Sequence, residues 1–176
     1  MTLSGCRALA AALTLSVVLT LAEDASRWQA VLLGWPFPDC EWQHIPGSTA
    51  HTGPDQHAQD WGRVQSWRAE GSRVLAPIDG RVVAAGRHPF LGEHVVVCNL
   101  RYCVLMAHLR VRLVAQGTEV TKGQTLVGSV GRTGLPPSGV AHLHIGVTLA
   151  ASRGRYSSMS ATVPFVLERC VQASGG

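Results

Sequence analysis

Two histidines one residue apart, His142-Leu143-His144, are the sharpest chemical feature of the sequence. Along an extended strand successive side chains alternate between faces. Both imidazoles then point to one side, while Leu143 and Ile145 point to the other. Neutral imidazole is a common zinc ligand, so a strand offering two side by side is a natural start for a metal site. Alone, the pair could equally be two histidines on an exposed strand face. Further candidates stand far away in the chain. His108 ends the stretch Val104-Leu-Met-Ala-His108, His51 opens His51-Thr-Gly-Pro-Asp55, and Asp60 precedes Trp61. Histidines and a carboxylate on separate β segments can converge on a two-histidine, one-carboxylate centre. A catalytic zinc takes three protein ligands and keeps one position for water. Spare imidazoles beside it can act as acid and base.

Short β segments must position these residues. Arg73-Val-Leu-Ala-Pro leads into a turn at Asp79-Gly80, and Val82 to Gly86 continues from it. His94 to Cys98 and Cys103 to His108 read as a hairpin. Glu119 to Gly123 reads as a turn, with strands at Thr125 to Val130 and His142 to Leu149. Trp28 to Leu33 could form a short helix, and Gly34 to Gly53 reads as irregular. Strong helical periodicity is absent. The expected fold is all-β: an antiparallel β sandwich or open barrel with short irregular N- and C-terminal extensions. The expected divisions are 1–22, 23–50, 51–150 and 151–176, with the chemistry in the third.

The first of these reads as a secretory signal. Arg7 is followed by an apolar run from Ala8 to Leu21, then small residues before Glu23-Asp24. The run is short for a membrane span, although an uncleaved N-terminal anchor is the alternative. Either way the remainder works outside the cytoplasm, secreted or periplasmic in the cell envelope. Export changes how cysteines read. Cys6 falls in the signal, and an even set remains: Cys40, Cys98, Cys103 and Cys170. Cys98 and Cys103 flank a hairpin turn, which pairs them and leaves Cys40 with Cys170. The formal charge of +4 is mild and carries little weight.

At this point a resemblance becomes specific. The stretch from His51 to Val147 resembles the lysostaphin- and LytM-type zinc endopeptidases of the bacterial cell wall. The pieces occur in family order: His51-Thr-Gly, Asp60-Trp61, Val74-Leu-Ala-Pro-Ile-Asp-Gly80, Met106-Ala-His108-Leu109, Gly117 to Gln124, Gly128-Ser-Val-Gly-Arg-Thr-Gly134 and His142-Leu-His144. The resemblance implies one Zn2+ held by His51, Asp60 and His144, with His142 and His108 as catalytic histidines. It implies an exported endopeptidase that hydrolyses peptide stems or cross-bridges of peptidoglycan with zinc-activated water. Two ligand alternatives stay open. Asp55 fits the common family spacing after His51 but lacks the following aromatic, and His57 is a rival first ligand. A non-catalytic module that binds the wall or activates another hydrolase is the competing function. No nucleic-acid partner and no membrane span after signal removal are expected, and the oligomeric state is left open. His44, His88 and His94 match no motif. Trp35 and Trp42 could line a cleft or pack in the core.

Overall fold

The computed structural model describes residues 30–46, 51–63, 65, 68–150 and 161–171. The backbone groups Val31–Gly176 as one compact unit and Met1–Ala30 as another. Only Ala30 of the latter is described, so the signal segment expected over 1–22 lies outside the described residues.

In chain order the strands are β1 (Val31–Leu33), β2 (Trp42–His44), β3 (Gln59–Arg63), β4 (Arg73–Leu75), β5 (Gly80–His88), β6 (Gly92–Cys98), β7 (Tyr102–Arg112), β8 (Glu119–Val120), β9 (Leu126–Val130), β10 (Leu143–Leu149) and β11 (Phe165–Leu167). The 3-10 turn Gly53–Asp55 precedes β3. Strands β2 to β10 form one antiparallel sheet, which is open and not a closed barrel. Its main path is β2-β3-β10-β7-β6-β5-β8. The long β7 pairs with β10 and β6 along its first part, then with β9 from Leu109 to Arg112, and β9 carries β4. Among the described residues no helix is long and apolar enough to cross a membrane.

Alternation explains the two faces of the sheet. Val95, Val97, Val104, Met106, Leu143, Ile145 and Val147 enter the main core, which Val74, Val127 and Val130 close from the β4–β9 branch. Val96, Cys98, Cys103, Leu105 and Ala107 form a smaller apolar cluster on the opposite face. This opposite face is also that of His144, which stands across from Ala107 on β7 and from Asp60 on β3. Trp35 and Trp42 belong to the core side. Trp42 stacks on Phe37 with ring centroids 4.0 Å apart, and Trp35 meets Trp61 edge-on at 5.6 Å.

Both expected disulfides are present. Cys98–Cys103 joins directly opposed residues of the β6–β7 hairpin, and Cys40–Cys170 ties the N-terminal stretch to the C-terminal one. One local expectation is overturned. Over Val31–Leu33 the chain is a strand, not part of a helix, and pairs in parallel with β11. Val31 donates to Pro164, Glu168 donates to Leu33, and the Leu33 side chain is fully buried in the main core. Pairing and burial outweigh any local helical tendency there. Among the described residues between Gly34 and Thr52, β2 adds an edge strand beside β3 and the rest is irregular.

Candidate metal centre

Strand β3 delivers Asp60. Asp60 faces His144 across the antiparallel pair, while its neighbour Trp61 packs against the main core. The Asp-Trp pair thus works by alternation, with the aromatic anchoring the strand and the carboxylate turned to the other face. His51 arrives from the segment before the 3-10 turn. His51 Nε2, Asp60 Oδ1 and His144 Nδ1 form a nearly equilateral triangle with sides of 3.2, 3.3 and 3.0 Å. Zinc bonds nitrogen and oxygen at about 2.0–2.2 Å, so a tetrahedral ion needs ligand atoms roughly 3.3–3.6 Å apart. The triangle has nearly that size, and these three are the group among the described residues able to hold a metal. The donor set, two imidazoles and one carboxylate, also suits zinc.

The electrostatics favour a positive charge in this triangle. Burial alone would raise the Asp60 carboxyl, but the hydrogen bond to His144 and the neighbouring His142, His144 and His51 rings hold it at about 2. Burial disfavours a charge on His144, yet Asp55 and Asp60 outweigh it and lift that ring to about 9. The metal-free centre therefore holds a proton where a cation would sit.

Two more imidazoles border the triangle. His142 Nε2 lies 3.5 Å from Asp60 Oδ1, and the His108 ring centre is 4.9 Å from that of His142 and 5.7 Å from that of His144. Each is fixed by a backbone carbonyl. His108 Nδ1 donates to the Thr133 carbonyl at 3.0 Å, and His142 Nδ1 donates to the Val140 carbonyl at 2.9 Å. A carbonyl can only accept, so Nδ1 carries the proton in both rings and the neutral tautomer leaves the Nε2 lone pair free. Burial lowers His108 to about 4 against the pull of the Thr133 carbonyl, which keeps it neutral at physiological pH.

His108 reaches this face through a break in strand alternation. Met106 enters the main core and Ala107 the opposite cluster, so regular alternation would send His108 into the core. Instead His108 adopts φ 60°, the left-handed region, and the β6–β7 register slips between Glu93 and Val95. Leu109 then takes the core position. A bulge that re-aims one side chain is common beside functional sites. The Gly128 to Gly134 motif supports it. Gly134, with φ 78°, lies so close to the backbone of Gly92 that a side chain could not fit, and Gly92 lies equally close to the Thr133 carbonyl. The Thr133 hydroxyl donates to Leu109 O at 2.7 Å and accepts from Glu93 N at 2.8 Å. This packing holds the carbonyl that orients His108.

All five residues singled out in the sequence thus converge. The alternatives fall elsewhere. His57 contacts Gln56 and is not in the triangle, and the Asp55 carboxylate faces the far nitrogen of His144 at 3.6 Å. His88 and His94 make local contacts with Phe90 and Gly92, and His44 is exposed near Trp61. The carbonyls of Thr133 and Val140 escaped sequence reasoning, because a backbone acceptor leaves no signature in residue types.

No curated protein matches the sequence. Among solved structures, Csd3 of Helicobacter pylori is 26% identical with a TM-score of 0.51, covering 68% of this chain and 30% of that one. The chain therefore spans under a third of Csd3. A mutant catalytic domain of EnpA, a prophage-encoded M23 protein from Enterococcus faecalis, gives a TM-score of 0.55 at 19% identity, over 73% of this chain and 92% of that one. The catalytic domain of the antimicrobial peptidase lysostaphin from Staphylococcus simulans gives 0.51 at 19%, over 80% and 92%. At these identities the last two establish the fold. The model of peptidase family M23 matches residues 63–157, a span that includes His108, His142 and His144 and starts just after Asp60. With more than half of its length matched in this way, the chain belongs to peptidase family M23.

Proposed function

We propose that this protein is an exported zinc metalloendopeptidase that cuts peptide bonds in the stems or cross-bridges of bacterial peptidoglycan. The observation that carries this reading is the triangle of His51 Nε2, Asp60 Oδ1 and His144 Nδ1 beside two imidazoles whose Nε2 lone pairs are free. The first three residues would hold zinc. When bound, that ion supplies Lewis acidity, polarising the scissile carbonyl and acidifying water. His108, neutral and fixed by Thr133, accepts a proton at Nε2 and returns it to the leaving amine. His142, with its Nε2 lone pair free, accepts a hydrogen bond from the attacking water and orients it. Residues 51–150 form the peptidase unit. The stretch 1–22 acts as the export signal, 23–50 and 151–176 flank the unit, and the protein works outside the cytoplasm.

Family membership and the likeness to the lysostaphin catalytic domain support the substrate class. Purified, zinc-loaded protein incubated with isolated peptidoglycan should release fragments with new peptide amines and intact glycan strands, read by mass spectrometry. Peptidoglycan left intact by protein that carries zinc would overturn the endopeptidase reading and leave a wall-binding module in its place.

A further inference from the structure

Resting on the zinc-centre reading above, we infer that Asp55 is a positioning residue, whose carboxylate accepts the Nε2 proton of His144 and fixes that ring with Nδ1 toward the metal. The argument begins with the ring. If Nδ1 of His144 offers its lone pair to a cation, Nε2 must carry the proton. Nε2 is buried and has no hydrogen-bond partner among the described residues. A buried N–H left without an acceptor bears the full cost of its desolvation. Asp55 Oδ2 stands 3.6 Å from Nε2, an ion-pair distance only slightly longer than a hydrogen bond. Imidazoles that bind metals almost always donate their second N–H to a carboxylate, carbonyl or water.

The fold holds Asp55 in that place. It closes the 3-10 turn Gly53–Asp55, and the buried Thr162 clamps this turn from the C-terminal segment. Thr162 donates to the Pro54 carbonyl from its backbone at 2.6 Å and from its hydroxyl at 3.0 Å, and the same hydroxyl accepts from His57 N at 3.0 Å. Beneath the turn lies Gly146, two residues beyond His144 on the same face of β10. A Cβ there would come within 3.5 Å of Thr162 Cγ2 and 3.8 Å of Asp55 Oδ1. The turn therefore lies directly over β10 at Gly146, with the Asp55 carboxylate beside His144. Asp55 thus sits on the opposite edge of the His144 ring from Asp60, so the two acids adjoin one ring in different roles.

The test is zinc affinity, measured by competition with a chromophoric chelator on wild-type protein, Asp55→Asn, Asp55→Ala and Asp60→Ala. Asp55→Ala should bind one zinc at saturation but about 10- to 100-fold more weakly. Asp55→Asn keeps an acceptor oxygen and should recover part of that loss, which a role in folding alone would not produce. The cobalt-substituted visible spectrum of Asp55→Ala should keep the wild-type band pattern. Asp60→Ala should fail to bind. Equal affinity for wild type and Asp55→Ala, with Asp60→Ala unable to bind, would overturn this inference and leave the metal centre intact. A changed cobalt spectrum in Asp55→Ala would overturn it by making Asp55 a ligand. Wild-type protein that takes up no zinc would overturn both readings.

Discussion

The two ends of the histidine cluster use the same side chain in opposite ways. At one end His144 lies against Asp60, with a second carboxylate at its far nitrogen, and positive charge is favoured. At the other end His108 is packed against a backbone carbonyl, and positive charge is disfavoured. The difference lies in the second partner. A carboxylate brings a full negative charge that outweighs burial, whereas a carbonyl brings a dipole that orients the ring without paying back its desolvation. One imidazole is thereby biased toward positive charge and the other toward its neutral form, within one sheet face.

The comparison breaks most visibly in turnover. His108→Ala and His142→Ala should retain one zinc each and cut peptidoglycan roughly 100- to 10,000-fold more slowly than wild type. His144→Ala should lose zinc and activity together, so metal content measured beside rate separates the two ends. An inverted pattern, with His142→Ala losing metal and His144→Ala keeping it, would assign the strand the other way round.

A smaller effect sharpens the contrast without any substrate. His144 rises from its ordinary 6.5 to about 9 on folding, so the folded metal-free protein holds a proton that the unfolded chain releases between those values. The stability this supplies is complete below pH 6.5 and is lost as pH rises through about 9. His108 falls from 6.5 to about 4, so its contribution is present above pH 6.5 and is lost as pH falls through about 4. Each arm amounts to about 3 kcal/mol at most. Urea titrations in chelator should therefore find the metal-free protein most stable near pH 6.5, with losses on both sides. Saturating zinc should flatten the alkaline arm, because the metal replaces the His144 proton. An alkaline arm unchanged by zinc would remove His144 from the centre.

Much of this architecture was legible in the residues. The hairpin closed by Cys98 and Cys103 followed from two apolar runs around a short turn, and the face shared by His142 and His144 followed from strand alternation. Asp60 was legible through Trp61, because an aromatic next to a carboxylate splits cleanly between core and open face. Other features depended on long-range contacts that spacing cannot express. Val31 to Leu33 became a strand only through β11, more than a hundred residues later. His108 occupies the correct face by a register slip, where simple alternation would have buried it in the core. Asp55 appeared as a rival ligand because the letters after His51 fit, while the turn that aims it at the other side of His144 depends on Thr162.

The most direct test of the division between these two ends is the position of zinc in the loaded protein, located by anomalous diffraction at the zinc edge. The account predicts one peak, bonded to His51 Nε2, Asp60 Oδ1 and His144 Nδ1 at about 2.0–2.2 Å, with His108 and His142 unbonded. A peak bonded to Asp55, or one between His108 and His142, would contradict it.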